Sequence, residues 1–379
     1  MLDKLKKKFI KHKLKEPENP RINQDINKRS VIIHHYCPHT YNAGDHFVIQ
    51  SIRNHIKDRI PEAVFLPKPC AVNRGWGKPA RLTGPNIEFS NDYADAVIIG
   101  GSDQYNGWSL RIREDEIDHL LPPMYLIGLG ISSKDLDSPP NIPEDRYLDD
   151  IRAANEAAAF SSVRDDITYK FLKSLKVKKH VMTGCPAMYL FNEKFSMKDG
   201  GYVILTFPFP VIRSNNGDVY SGLLKLIGDL IKNLKKRGRK VLLACHDDRD
   251  LQPAQELFPG ERFFFSNYPE DYYKIYRDAA YVIGTRLHAT ILSAGMGIPF
   301  VNINLDLRGK GFSDRFKLDK WNINVNDPLI EQKINDRIGI LENGDLKAFG
   351  KFYKEKEKHR KIFENFMDNV AEDIIKKVK

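Results

Sequence analysis

The chain is poor in several features that would narrow its function at once. It has four cysteines in 379 residues, Cys37, Cys70, Cys185 and Cys245, with no CxxC pair among them. That scatter signals neither a zinc site nor a disulfide framework, and reduced, buried thiols are expected. No apolar run approaches the roughly 18 residues that span a bilayer, and the first residues lack the apolar core of a secretory signal. The expected location is the cytoplasm. Neither a GxGxxG nor a P-loop occurs, which argues against a dinucleotide or nucleoside triphosphate enzyme. His34, His35, His39 and His46 stand close together, but their spacing matches no helix-face metal motif, and no metal is expected.

What is present excludes disorder: 41% hydrophobic and 11% aromatic residues belong to a globular chain, and the length suits about two or three folded units. A net charge of +10 would ordinarily point to nucleic acid or an anionic membrane. It is confined to the two ends. Residues 1–30 carry ten Lys/Arg against four Asp/Glu and residues 346–379 ten against six, which leaves 40 of each between 31 and 345. The body is neutral by count, so nucleic acid is not an expected partner. The basic tail 1–30 runs through a lysine-rich stretch to Pro17 and Pro20. A solvated arm is its plainer reading; peripheral contact with anionic lipid at the inner face of the membrane is the alternative.

From Val31 onward, short apolar runs alternate with longer amphipathic stretches, the signature of βα units. Strands are predicted at Val31 to Tyr36, Ala96 to Ile99, Met124 to Leu129, Ala158 to Val163 and His180 to Thr183, with helices at Asp45 to Lys57, Tyr147 to Ala157 and Ile167 to Leu175. The pattern lapses at FNEKFSMKDGG and resumes with strands at Tyr202 to Phe207, Lys240 to Cys245, Arg262 to Phe265, Ala280 to Ile283 and Pro299 to Ile303. Helices follow at Tyr220 to Lys236, Glu270 to Asp278 and Arg286 to Ala294. The fold class is therefore α/β, with two Rossmann-like domains, 31–197 and 198–345, facing one another across a cleft, and a C-terminal helix at 346–379. Ligands of such sheets bind beyond the carboxyl ends of the strands.

The most informative stretch is AAYVIGTRLHATILSAGMGIPFV, Ala279 to Val301. It reads strand, turn, helix, glycine stop, strand. Free N–H groups and the helix dipole in the turn at Thr285, Arg286 and His288 favour an anion, and Arg286 adds a fork for phosphate or carboxylate. His288, with an ordinary pKa near 6.5, suits proton transfer. On an ideal helix the two side chains lie about 200° apart, so both border one ligand only if the turn is irregular or the ligand sits over the helix end. A buried arginine pinning a loop and a histidine satisfied by backbone remain the alternative.

GTRLHA followed by GIPFV resembles the hallmark of the polysaccharide pyruvyl transferase family. Further matches follow in the expected order: NAGDHFVIQSI from Asn42, VIIGGSD from Val97, LIGLGIS from Leu126, SSVRDDITYKFLKSL from Ser161 and TGCPAMYL from Thr183, so that the resemblance covers residues 31 to 320. Two departures stand out. Cys185 replaces the carboxylate of the family's GDPA segment, and VNINLDLRGKGF only loosely follows an Asp-Pro-Lys pattern, with Asp306 and Lys310 the nearest equivalents.

The resemblance implies a glycosyltransferase-B-like arrangement that moves the pyruvyl unit of phosphoenolpyruvate onto two hydroxyls of a sugar as a cyclic ketal, with no cofactor. The partners implied are phosphoenolpyruvate and a glycan or lipid-linked glycan acceptor. Arg286 is the first expected ligand of the donor, supported by Thr285 and Leu287; Arg164 and Arg213, each in a loop following a strand, are further candidates. Arg164 paired with Asp165, or a solvated Arg213, would instead be structural. His288 is the expected proton carrier, and Asp45 and Asp103 the candidate bases, although as helix N-caps they need no catalytic role. Gly44, Gly101, Ser102 and His246 are placed on the acceptor side; helix capping by the His-Asp-Asp run is the plainer account of His246. A nucleotide-sugar glycosyltransferase and a non-catalytic glycan-binding relative remain the competing readings.

Overall fold

The structure, a computed structural model, describes residues 29–39, 41–72, 81–101, 103–106, 112–133, 136–140, 145–207 and 217–378. The basic tail, with the exception of its last two residues, lies outside the described residues, as do Ser102 and Arg213.

Two six-stranded sheets carry the fold. The first contains β1 (Val31–His39), β2 (Ala63–Val72), β3 (Ala96–Gly100), β4 (Met124–Leu129), β5 (Phe160–Val163) and β6 (Val181–Met182), in the order β2-β1-β3-β4-β5-β6. The second contains β7 (Tyr202–Thr206), β8 (Val241–Ala244), β9 (Phe263–Phe264), β10 (Ala279–Gly284), β11 (Phe300–Asn304) and β12 (Asn322–Asn324), in the order β12-β11-β10-β7-β8-β9. Every pairing is parallel. The central strands AVIIG, MYLIGL, AAYVIG and FVNIN are buried along their whole length, as parallel strands covered on both faces must be. Strand order reverses between β1 and β3 in one sheet and between β7 and β10 in the other, so each sheet opens a crevice at that point.

In the first domain, helices α1 (Ala43–Arg59), α2 (Gly84–Tyr93), α3 (Glu114–Ile117), α4 (Asp145–Ala157) and α5 (Asp166–Ser174) flank the sheet. In the second, α6 (Gly217–Lys236), α7 (Asp248–Leu257), α8 (Pro269–Arg277), α9 (Leu287–Gly295), α10 (Leu307–Phe316) and α11 (Ile330–Glu342) do so. The last helix, α12 (Gly350–Val378), belongs to both. Its Lys356 Nζ donates to the carbonyl oxygen of Ala294 at 2.7 Å, while Glu364 and Asp368 each accept from Arg59 at 2.6 Å and Asp373 accepts from the Tyr125 hydroxyl at 2.8 Å. One buried apolar cluster accordingly runs from Ile33 and Phe47 through Met188 and Phe363 to Val203 and Ile283.

Several elements escaped the sequence pattern for local reasons. Strand β2 carries Pro67 and Pro69, which an edge strand tolerates and a central strand does not. Helix α7 contains Pro253, and α10 contains Gly309 and Gly311. The histidine cluster is separated by the strand pleat. His34 Nδ1 lies 3.0 Å from Ser90 Oγ on α2, whereas His35 Nδ1 accepts from Arg53 Nε on α1 at 3.3 Å, so neighbouring rings face opposite sides of the sheet. The side chain of His39 is outside the described residues. No helix among the described residues is long and apolar enough to cross a membrane.

Burial holds several of these rings neutral. It lowers His246 to about 3 and His34 and His359 to about 4, with the nearby Lys68 adding to the effect at His34 and Arg315 at His359. Because the folded values lie below that of the unfolded chain, their stabilisation is present above pH 6.5 and is lost as the pH falls through 6.5 toward 4. His246 alone should cost about 1–2 kcal/mol between pH 7 and pH 5. Urea unfolding at the two pH values should therefore show a lower midpoint at pH 5; equal midpoints would mean that these rings are protonated in the native state.

Candidate active site

The two crevices face each other. Asn42 caps α1, accepting from Gly44 N at 2.9 Å, and Ala43 N donates across the cleft to the carbonyl oxygen of His246 at 2.7 Å. On the opposite side, Thr206 at the end of β7 clasps the turn after β10. Its hydroxyl oxygen accepts from Thr285 N at 2.7 Å and Arg286 N at 3.1 Å, and its carbonyl oxygen from Thr285 Oγ1 at 2.6 Å. Thr285 is thereby committed to holding the turn. Arg286 is the N-cap of α9, in extended conformation (φ −97°, ψ 119°), and its own side chain does not cap the helix. Being outside the helix, Arg286 is freed from the 200° separation expected of an ideal turn, and it lines one small cavity together with Leu287 and His288. The N-terminus of α9 opens into the same space.

His288 reaches the first domain. A Cβ at Gly44 would lie 2.6 Å from His288 Cγ, so only glycine fits beneath the ring. Cys185 Sγ is 3.9 Å from His288 Nε2. Burial, then Arg164, Arg308 and Arg286, drive the histidine well below its ordinary value, with Asp306 opposing weakly. The expectation of an imidazole titrating near 6.5 is thus corrected: burial and the charges of three arginines favour its neutral form, and the side chain beside its Nε2 is the thiol of Cys185. That thiol is itself pushed up to about 11 by burial.

The arginines are held by aspartates. Asp250, the third residue of α7, accepts from Arg286 Nε at 3.2 Å and from its Nη2, and also from the backbone N–H groups of His246 and Asp247. Arg164 is almost fully buried behind Gly130, where a Cβ would lie 2.7 Å from its Cζ. It pairs with Asp103, while Asp165 is more distant at 3.4 Å and instead caps α5 by accepting from Thr168 N at 2.7 Å. Arg308, from α10, donates to the other oxygen of Asp103 at 3.0 Å and to Asp306 at 2.9 Å.

Of the residues expected from the sequence, Arg286, Thr285, Leu287, His288 and Arg164 therefore meet at the cleft, together with Asp103 and Gly44. Asp45 is buried in the first turn of α1, where Asn42 and not Asp45 is the cap. Asp103, which precedes the short 3-10 turn Gln104–Asn106, is occupied by two guanidiniums. His246 belongs to the second domain, with Nε2 2.7 Å from the Tyr276 hydroxyl and its ring packed against Phe47 and Tyr272. Capping of α7 falls to Asp247. Gly101 has φ 95°, a conformation suited to glycine. Lys310 is half-exposed and paired with Asp314, so the cation after β11 is Arg308. Arg308 and Asp250 carry no pattern that singles them out in the sequence, nor do Asn302 and Asn304, which line the same cavity. Spacing two residues beyond the helix cap Asp306 was the available signal for Arg308.

Substituting Gly44 by alanine should force the His288 ring aside and cost about 1–3 kcal/mol, as overpacking does. Gly222, exposed on α6 with open space around it, should tolerate the same change with no loss. Thermal denaturation of the two variants checks the contrast.

Comparison with known proteins agrees on fold and family. A putative UDP-N-acetylglucosamine 2-epimerase from Listeria monocytogenes superposes with a TM-score of 0.53 at 10% identity, over 86% of this chain and 91% of that one. MnaA of S. aureus, in a co-structure with UDP, gives 0.51 at 11% identity over the same shares. These likenesses show the two-domain glycosyltransferase-B-like fold alone. No curated protein matches in sequence. The family model for polysaccharide pyruvyl transferase matches residues 42–306. Since that match spans more than half of the sequence, from the cap of α1 to the cap of α10, the chain belongs to the polysaccharide pyruvyl transferase family.

Proposed function

We propose that the protein transfers the pyruvyl group of phosphoenolpyruvate to two hydroxyls of one sugar in a cell-surface polysaccharide or its precursor, releasing phosphate and leaving a cyclic ketal. The observation that carries this reading is that Arg286 and Arg308 line one cavity with His288 at the start of α9, with Arg164 of the other domain joined to Arg308 through Asp103. A three-carbon donor bearing both phosphate and carboxylate asks for that density of cationic donors.

In the reaction, the first sugar hydroxyl bonds to C2 of the donor while C3 takes up a proton and becomes a methyl group. The bond from C2 to the phosphate oxygen then breaks, and the second hydroxyl closes the ketal. Two hydroxyl protons are lost; one balances the proton gained at C3 and the other leaves with phosphate. His288 is the proposed proton carrier. A bound anionic donor offsets the three arginines that hold the ring neutral, so the imidazole gains proton affinity when the donor is in place. Asp103, or Asp45, takes the hydroxyl proton. Gly101 and Ser102 are proposed to border the acceptor, while Gly44 makes room for His288. No cofactor is needed, because the donor carries both electrophile and leaving group. A lipid-linked acceptor met at the inner face of the membrane would suit a contact through the basic arm.

Purified protein incubated with phosphoenolpyruvate and a panel of glycan precursors should release phosphate only with an acceptor, and the product should carry a pyruvate ketal by mass spectrometry. His288→Gln should lose at least about a hundredfold in turnover, within the range of general acid–base effects, and Arg286→Lys should weaken donor binding. Full activity of His288→Gln would remove the histidine from the mechanism. Binding of a nucleotide sugar, with none of phosphoenolpyruvate, would replace the whole reading by a glycosyltransferase.

A further inference from the structure

The Asp103 carboxylate is held as a bound anion would be. Its Oδ1 accepts from Arg164 Nη2 and its Oδ2 from Arg308 Nη1 at 3.0 Å, so each oxygen is taken by a guanidinium from a different domain. Arg164 is only 3% exposed, and its Nη1 has no hydrogen-bond acceptor among the described residues. A buried guanidinium donor without a partner is costly, and few are left in native structures without a reason. Asp103 itself is 13% exposed, and it sits in the turn after β3, beyond Gly101.

The surroundings point the same way. Arg164 and Arg308 are among the charges acting most strongly on His288, and Arg164 also acts on Cys185, whose sulfur touches that ring. Arg308 also lines the same cavity as that ring, and Asp103 joins Arg164 to Arg308. Arg286 has its own carboxylate, Asp250, which is fully buried and fixed by two backbone N–H groups. Asp103 receives no comparable backbone bond among those described; it is the carboxylate of the cluster that a turn can withdraw.

We propose that Asp103 is an internal competitor of the donor: it bridges Arg164 and Arg308 until an anionic group of the donor replaces it, so that these two arginines, one from each domain, form a second anion subsite beside Arg286. The inference rests on the phosphoenolpyruvate reading of the site. A donor carboxylate or phosphate presents the same kind of anionic oxygens as Asp103, so the exchange is like for like, and a third oxygen can reach Arg164 Nη1, which Asp103 leaves unmatched. Bridging by Asp103 or by the donor also draws the two domains to the same contact.

Calorimetric titration of phosphoenolpyruvate into wild type, Asp103→Asn and Arg308→Gln tests this. Removing the competing charge should tighten donor binding in Asp103→Asn by about tenfold or more, as expected for a unit charge a few ångströms away, while Asp314→Asn, an exposed site of equal charge change, should leave it unaltered. Arg308→Gln should weaken binding by about tenfold or more. A purely structural Asp103 predicts the opposite sign, because its loss would leave the arginines disordered; unchanged or weaker binding by Asp103→Asn overturns the inference. Should that variant fail to fold, unchanged affinity in Arg308→Gln overturns it equally. Absence of phosphoenolpyruvate binding by every protein, wild type included, would instead sink the functional reading beneath it.

Discussion

Two parallel sheets with both faces covered can share a site only at their carboxyl edges, and here that meeting depends on how closely α1 approaches the second domain. The backbone bond from Ala43 N to the carbonyl oxygen of His246 sets the distance. At that separation the space above the next residue is filled by the His288 ring, so position 44 has no room for a side chain. The ring in turn is partly buried and lines the cavity with Arg286 and Arg308, and burial with the nearby arginine charges favours its neutral form. A single close approach thus dictates a glycine in one domain and seats a histidine of the other against it.

The cleft is charged yet nearly balanced. Arg164, Arg286 and Arg308 are matched by Asp103, Asp250 and Asp306, several of them buried. Such pairs are weak evidence for stability, since desolvation offsets much of their attraction; their better-attested use is to fix register. That use fits here. Asp250 ties Arg286 to the start of α7, Asp306 caps α10 and orients Arg308, and Asp103 joins the two domains. The same carboxylates therefore shape helix ends and aim the cations, which explains why so many of them are aspartates at helix starts.

The C-terminal helix performs the equivalent task on the far side. Lys356, buried on α12, caps the carboxyl end of α9, whose opposite end faces the cleft. Its ammonium is lowered to about 8 by burial, so the hydrogen bonds to Ala294 and Gly295 are made by a group that favours a helix C-terminus in its charged form. With Arg59 held by Glu364 and Asp368, one helix secures both domains without entering the site.

Much of this was legible in the order of residues. Runs such as AVIIG and AAYVIG announce buried parallel strands because each side chain is apolar, and the small residues of GTRLHA announce a turn into a helix with an arginine at its start. Strand β2, helices α7 and α10, and strand β12 stayed hidden, since proline, glycine or brevity blurs their periodicity. The sequence by itself determined the α/β class and the family, and it singled out Arg286 and His288, because these rest on local pattern. Only the tertiary structure decided that Arg308 and not Lys310 enters the cleft, that Asp103 joins two arginines, and that His288 is neutral. Those facts depend on distances between segments as far apart as residues 44, 103, 164 and 288, and local sequence carries no record of such separations.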